Sequence, residues 1–472
     1  MYNLKIFFIF FILIIAFIPS SPSNSYSYSP LLLTDQIAEV YAPVFYQDTG
    51  DRFDYITNFD FDNDFVGNNN WENAEKYSLK AYIYYAVTET ETHWFIFYAV
   101  FHPRDYTSFE FEFLSHENDL EGLVVVVEKD GTKYGKFLLM ETYAHFNFYQ
   151  YTNSKNVSNA HEKIDGNVIF YDNTHPLVYI EVAGHGIYGY DGLGFPGDTG
   201  TIYYYKGIAE EPKSPNDRNV GYALKEIHSE LWERRYDYGN GKMYDIPIDF
   251  HSDIYGSVFD GDTYGNDKAS PPWSLDDIDD NVKKGDWFFD PAYTISSHLT
   301  INGNFSRTYI RNPFVQITLS YNLNLGWNLI SIPMNIRTKN ILDALESING
   351  SYDKIEYFDP STGKWKIYTV SKPAYMNDNI EIKNSIGFWI HTKEKATIKI
   401  KYYHPDNTNI YLRKGWNLVG YPSNTSIKAE ELKNNSKIKR IVDSELLNVT
   451  SLSIWNGYWV LTDEDTSIWL EW

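Results

Sequence analysis

Cysteine is absent from this chain, which removes disulfides, thiolate metal sites and thiol nucleophiles together. Stability must then come from burial and from bound ions. Positive charge is scarce: 40 Lys and Arg against 63 Asp and Glu leave a formal net charge of −23. No run of Lys and Arg interleaves with aromatics, so phosphate backbones repel the chain and nucleic acid is not expected as a partner. Long apolar runs are missing except at the start, where Ile6 to Ile18 follows the basic Met1 to Lys5. That run is shorter than the ~20 residues a spanning helix needs, and Pro19 and a Ser-rich stretch end it. Residues 1–25 read as a secretory signal. Because no Ala-x-Ala site follows, an uncleaved membrane anchor is the alternative, and membrane contact would then run through that segment. Either way the remainder lies on one side of a membrane, secreted or at the cell surface. No Gly-x-Ser-x-Gly elbow, phosphate-cradling loop or dinucleotide fingerprint occurs.

Aromatics are abundant instead, at 18% with 41 Tyr. They suit strand surfaces, and the many Asn, Gly and Ser suit the turns between strands. A 472-residue chain is too long for one ordinary domain. The fold expected is mainly β: a β-sandwich with flanking helices over residues 30–316, followed by two small repeated β modules at 317–403 and 404–472. Thr34 is a candidate N-cap for a helix over Asp35 to Tyr41 that Pro43 closes. Ala81 to Thr88 and His93 to Phe101 read as a hairpin around Glu89 to Thr92. Leu123 to Glu128 turns at Asp130-Gly131 into Tyr134 to Thr142. Asn167 to Tyr171 and Leu177 to Val182 form another pair. The spacing of Leu224, Ile227 and Leu231 predicts a helix between about Tyr222 and Arg235. Sequons at Asn156, Asn304, Asn349, Asn424, Asn434 and Asn448 fit an exported glycoprotein, although an Asn-rich chain produces several by chance.

The tail repeats itself. Gly326-Trp327-Asn328-Leu329-Ile330-Ser331-Ile332-Pro333 returns as Gly415-Trp416-Asn417-Leu418-Val419-Gly420-Tyr421-Pro422. Each copy has a second echo, Gly387-Phe388-Trp389-Ile390-His391-Thr392 and Gly457-Tyr458-Trp459-Val460-Leu461-Thr462. The tryptophans read first as core aromatics that fix one fold twice, with a sugar-stacking surface as the other reading. This tail resembles the Gly-Trp-Asn-Leu modules found at the ends of archaeal and bacterial surface proteins, which implies display or attachment.

The chemistry gathers between Tyr98 and Gly122, where Asp105, His116, Asp119 and Glu121 fall close together. Asp119 and Glu121 are two apart, so in an extended segment both carboxylates leave the same face. His116, expected in a loop, can fold back toward them, and Asp105 returns to the same neighbourhood if the two strands pair. Three carboxylates held together repel one another unless a cation neutralises them. One bound divalent ion is the simplest resolution. The carboxylates favour Mg²⁺, Ca²⁺ or Mn²⁺, and the imidazole keeps Zn²⁺ open.

These residues resemble the necrosis- and ethylene-inducing-like proteins, secreted cytolysins with a β-sandwich fold. Their signature, Tyr-Ala-Trp-Tyr-Phe-Pro-Lys-Asp and then Gly-His-Arg-His-Asp-Trp-Glu, is similar to Tyr98-Ala99-Val100-Phe101-His102-Pro103-Arg104-Asp105 and Ser115-His116-Glu117-Asn118-Asp119-Leu120-Glu121. The resemblance implies metal ligation by Asp105, His116, Asp119 and Glu121. This chain departs from the pattern at Ser115, Asn118 and Leu120, and lacks the family's cysteines. A looser similarity runs to vacuolar protein sorting-associated relatives, through Tyr41-Ala42-Pro43-Val44, His175-Pro176-Leu177-Val178-Tyr179, Gly184-His185-Gly186 and Gly285-Asp286-Trp287-Phe288-Phe289-Asp290-Pro291.

Other signals are weaker. Glu117, His145 and His185 are candidates to line the same cleft, although both histidines read first as surface or core residues without a metal. Asp260-Gly261-Asp262 with Gly265 is no EF-hand, because Tyr264 and Pro271 stand where ligands belong. Asp276, Asp277, Asp279 and Asp280 read as a solvated acidic loop. Two functions follow. The first is a binding protein whose metal helps recognise a cell-surface glycan, glycolipid or other envelope component. The second is a secreted metal-dependent hydrolase, in which Glu117, His145 or His185 handles protons.

Overall fold

A strand buried on both faces must be apolar at nearly every position, and the stretch from His93 to Phe101 meets that demand. In the computed structural model of the protein it belongs to a long hairpin that organises everything before the tail. The structure describes residues 33–471 apart from 107–114, 197–198, 251–252, 263–268, 278–281, 316, 333–339, 382–384, 403–406, 423–425 and 435–436. The expected signal over 1–25, the boundary at Gln316, and Asp279 and Asp280 of the acidic loop lie outside the described residues.

Six strands frame the site: β1 (Val44–Asp48), β2 (Tyr82–Thr90), β3 (His93–Asp105), β4 (His116–Glu128), β5 (Lys136–Ala144) and β6 (Asn147–Tyr151). They lie in one sheet in the order Ile187–Gly189, His175–Ile180, β1, Gly200–Tyr205, Val220–Glu226, β2, β3, β4, β5, β6 and Ile164–Gly166. Trp94, Ile96, Tyr98 and Val100 of β3 enter one core, while Phe95, Phe97, Ala99 and Phe101 enter another. The first core joins Phe45, Val178 and Ile187 from one end of the sheet to Met140 and Tyr151 from the other. The sheet is therefore curled, and the Tyr149 and Tyr188 rings meet across the curl with centroids 4.9 Å apart. Trp232, Trp273, Trp287 and Phe288 cover the outer face. The mainly β class is as expected, with a few short helices on the flanks.

Three local expectations shift. The first helix runs Leu33–Val40, so Thr34 lies inside it and is not its cap. No long helix spans 222–235. Val220–Glu226 is instead a strand, parallel to both Gly200–Tyr205 and β2, and only Ile227–Glu230 is α-helical before a 3-10 turn at Trp232–Arg234. Tyr222 packs into the inner core and Ile227 and Leu231 into the outer one, so the apparent helical spacing straddles a strand and the turn after it; pairing on both edges overrides the pattern. Asp277 of the acidic loop is buried, not solvated.

In the tail, the two copies of the repeat fold alike. Gly326–Ser331 pairs with Gly387–Thr392, Gly326 opposite Thr392, and Gly415–Gly420 pairs with Gly457–Thr462, Gly415 opposite Thr462. Gly326 and Gly415 adopt φ of 92° and 102°, a region open to glycine at no steric cost. Asn328 then closes the turn, accepting from Asn324 N at 3.0 Å and donating to Asn324 O at 2.8 Å. Asn417 does the same with Arg413 N and O, each at 2.8 Å. Leu329 and Leu418 are buried, whereas Trp327 and Trp416 are 47% and 38% exposed. The core reading of these two tryptophans is thus corrected: at each, the alternation of the strand turns the indole outward. The copies meet in a seam with no room for side chains. A Cβ on Gly387 would stand 2.6 Å from Val419 O and one on Gly457 2.8 Å from Leu329 Cδ1. Trp455 of the second copy enters the core of the first, stacked on Tyr321 at 5.3 Å.

Candidate metal centre

β3 and β4 pair with Asp105 opposite His116, His102 opposite Asp119 and Val100 opposite Glu121. Along a regular strand His116 and Asp119, three apart, would leave opposite faces. The alternation breaks between them: Asn118 has φ 60°, and its position in the ladder faces Pro103, which has no N–H to give. Asn tolerates that backbone better than most residues, and here its side chain is fully engaged. Asn118 Nδ2 donates to Gly67 O and Asp260 O, both at 2.8 Å, and Oδ1 accepts from Asn70 at 2.6 Å. His116 is accordingly the first residue of a strand, not part of a loop as expected.

Asp105, His116 and Asp119 each place a ligand atom so that all three lie within 4.8 Å of one another. His116 Nε2 stands 3.5 Å from Asp105 Oδ2. Glu121 stands outside that trio but lines the same cavity of about 110 Å³, together with Tyr143 and His145. Its Oε1 accepts from His145 N at 3.2 Å, and its buried Oε2 has no hydrogen-bond partner among the described residues. Burial and the neighbouring Asp119 push the Asp105 carboxyl up to about 6. The same two causes carry Glu121 well above the usual carboxylate range. Both shifts express the cost of gathering these groups without a cation.

The remaining candidates separate. Glu117 turns away from the cavity: Oε1 accepts from Trp71 N at 2.8 Å and Oε2 from Asp262 N at 3.2 Å, and burial pushes its carboxyl up to about 7. It closes a loop and does not reach the cluster. His145 sits at the turn between β5 and β6, where Ala144 faces Asn147, lines the cavity and pairs with Glu181; that hydrogen bond raises its pKa against the pull of burial.

His185 is buried behind the cavity. Its Nδ1 donates to Asp119 Oδ2 at 2.8 Å and its Nε2 to Asp54 Oδ1 at 3.1 Å. Burial opposes the charge, but the two carboxylates together lift His185 to about 10. Asp54 is a hub, also accepting from Gly50 N, Asp51 N, Tyr106 Oη and Ala183 N at 2.7–3.0 Å. His102 stacks on His185 with centroids 3.6 Å apart and forms a second trio with Asp119 and His185. Burial, then the adjacent His185, holds its pKa well below 6.5, so it stays neutral, its Nε2 3.0 Å from Gln47 Oε1. Asp54, His102 and Glu181 were not picked out from sequence as parts of this site. The register that sets His102 opposite Asp119 could have flagged the first histidine; nothing local to Asp54 could have.

The donor set fits a divalent cation: three carboxylates and an imidazole, mostly buried, with one carboxylate oxygen left unpartnered. Asp260, by contrast, spends its carboxylate on Gly241 N, Lys242 N and Gly261 N, and residues 263–268 of the loop that follows lie outside the described residues.

Fold and site together define a mainly β protein with a buried carboxylate–imidazole cluster at the rim of a curled sheet. No family model and no curated protein matches the chain. Solved structures of necrosis- and ethylene-inducing proteins match it in part. Necrosis and Ethylene inducing Protein 2 from the causal agent of cocoa's Witches Broom disease is 16% identical over 44% of this chain and 78% of that one, at a TM-score of 0.25. NLPPya in complex with glucosamine is 14% identical over 35% and 72%, at 0.25, and the non-toxic HaNLP3 protein 14% over 43% and 78%, at 0.23. Overlap this partial fixes neither activity nor ligand.

Proposed function

We propose that this chain is an exported, surface-facing binding protein in which Asp105, His116, Asp119 and Glu121 hold one divalent cation, and the cation helps recognise a glycan or glycolipid headgroup. The observation that carries the reading is the cluster of three carboxylates around an open cavity, with the Glu121 Oε2 oxygen unpartnered among the described residues. When bound, the ion supplies a positive centre for hydroxyl or carboxylate oxygens of a ligand. A cavity of about 110 Å³ is well below the ~300 Å³ of an ordinary small-molecule site, so a ligand enters by an edge, such as a pair of hydroxyls. His185, fastened to Asp54, orients Asp119, and His145 fixes Glu121 through its backbone N–H. NLPPya has been solved with glucosamine and with mannosamine, in keeping with a sugar ligand for this chain as well.

The His145–Glu181 pair at the cavity edge favours one second reading, a metal-dependent hydrolase with His145 as its proton carrier. Binding of immobilised glycans with Ca²⁺, Mg²⁺ or Mn²⁺, with chelator, and in Asp119→Ala separates the readings when run beside ester, phosphodiester and glycoside substrates. The binding reading expects retention that chelator and Asp119→Ala abolish, with no turnover. Turnover that disappears in Asp119→Ala would contradict it.

A further inference from the structure

A second cavity lies beyond the Glu181 that pairs with His145. Strands His175–Ile180 and Ile187–Gly189 place Tyr179 opposite Tyr188, and the two rings form a notch with centroids 6.5 Å apart, tilted by 33°. The cavity measures about 380 Å³ and is walled by Tyr179, Tyr188, Asp191, Leu193 and Phe195, with no Lys or Arg in its lining among the described residues. Its outer loop is built rather than slack. Asp191 Oδ1 accepts from Leu193 N at 2.8 Å, Gly194 N donates to Tyr190 Oη at 2.9 Å, and Gly192 and Gly194 take φ of 87° and 89°. The loop holds Leu193 out at the rim, 86% exposed.

Carboxylates stand close to both tyrosines. Burial raises the Tyr179 hydroxyl, and Asp48, which accepts from it at 3.3 Å, raises it further with Glu181 and Asp191. Burial and then Glu181 do the same for Tyr188. Phe195 already carries the Arg218 guanidinium 4.2 Å from its centroid and Tyr188 also meets the Tyr149 ring at 4.9 Å, so Tyr179 and Tyr188 present to the cavity the ring surface that these contacts leave. A neutral apolar ligand would gain nothing from these carboxylates. A cation gains from them and from the negative ring faces together.

We propose that this cavity binds an organic ammonium group, the trimethylammonium of choline being the simplest probe. The cavity has its own lining, apart from the metal cluster, and the two share only the charge of Glu181, which pairs with His145. Calorimetric titration of the full-length chain with choline chloride at fixed ionic strength tests it, beside 3,3-dimethylbutanol, which has the same shape without the charge. Saturable choline binding is expected, with the alcohol at least about tenfold weaker. Tyr188→Leu and Asp191→Asn should each weaken choline by about tenfold, whereas Tyr188→Phe, which keeps the ring, should bind like the wild type. Asn at 191 still accepts from Leu193 N, so the loop survives, and an unchanged melting profile certifies each variant. If Tyr188→Leu does not fold, Asp191→Asn and the neutral alcohol decide alone. Equal binding of the alcohol, wild-type affinity in Asp191→Asn, or no saturable choline binding would overturn the site. Co-sedimentation with phosphatidylcholine vesicles that free choline abolishes would place the cation on a membrane; choline binding without it would make the ligand soluble. Either result upholds the cation site.

Discussion

The rim of the curled sheet and the tail repeat both rest on short motifs of polar residues among aromatics, yet they spend their polar atoms differently. Asn328 and Asn417 return theirs to their own turns, so Gly-Trp-Asn-Leu is a folding device, complete in itself and usable twice. At the rim, Asp105 and Glu121 are raised above their ordinary range and Glu121 Oε2 stays unpartnered among the described residues. A motif whose polar atoms close on its own backbone builds structure, whereas one left buried and unfinished calls for a ligand.

Breaking the rim should cost most. His185 stands between Asp54 and Asp119, and His185→Leu leaves two carboxylates without their shared donor. A loss of about 3–5 kcal/mol is expected in denaturant unfolding of the metal-free protein, and a smaller loss with saturating divalent ion, which neutralises Asp119. Equal losses in both conditions would separate His185 from the metal. In the tail, Gly387→Val forces a side chain against Val419 O and should cost about 1–3 kcal/mol. Its response to divalent ions should match the wild type. Asn417→Ala removes one turn lock and should cost about 1 kcal/mol, again without touching the metal response. A changed ion response in either tail variant would show that the two regions are coupled.

The smallest effect is in pH. Asp105, Glu117 and Glu121 all have folded values above their ordinary ones, so the folded state binds more protons than the unfolded chain. Each therefore weakens the metal-free fold as pH rises through its folded value, and the chelated protein should melt slightly higher at pH 5 than at pH 7. His185, at about 10, stays protonated in the folded state while the unfolded chain gives up that proton near 6.5, so it weakens the fold in the same direction as pH rises from 5 to 7; His93 and His102, whose values lie below 6.5, act the other way and keep the net effect small. With excess divalent ion the trend should reverse, because protons displace the ion from the carboxylates. Parallel trends with and without ion would count against a shared site.

Much of this was legible in the sequence because it is local. The β3–β4 ladder follows from two long apolar runs, and the tail repeat from identity between its copies. Asp119 and Glu121 needed only the strand period. What was not legible depends on distant segments. Asp54 reaches Asp119 only through His185, across 131 residues in one step and 66 in the other. Glu117 stood only as a candidate to line the same cleft, and the break in alternation at Asn118 turns it away. The strand at Val220–Glu226 is set by partners on both edges, which no window of its own residues contains.

The central claim is that the rim cluster holds one ion. Elemental analysis of the full-length protein after equilibrium dialysis against Mg²⁺, Ca²⁺, Mn²⁺ and Zn²⁺, in wild type and Asp119→Ala, tests it most directly. The account predicts one tightly held divalent ion per wild-type chain and none in Asp119→Ala, with Asp260→Asn behaving as wild type. Equal metal content in wild type and Asp119→Ala, or none in either, would contradict it.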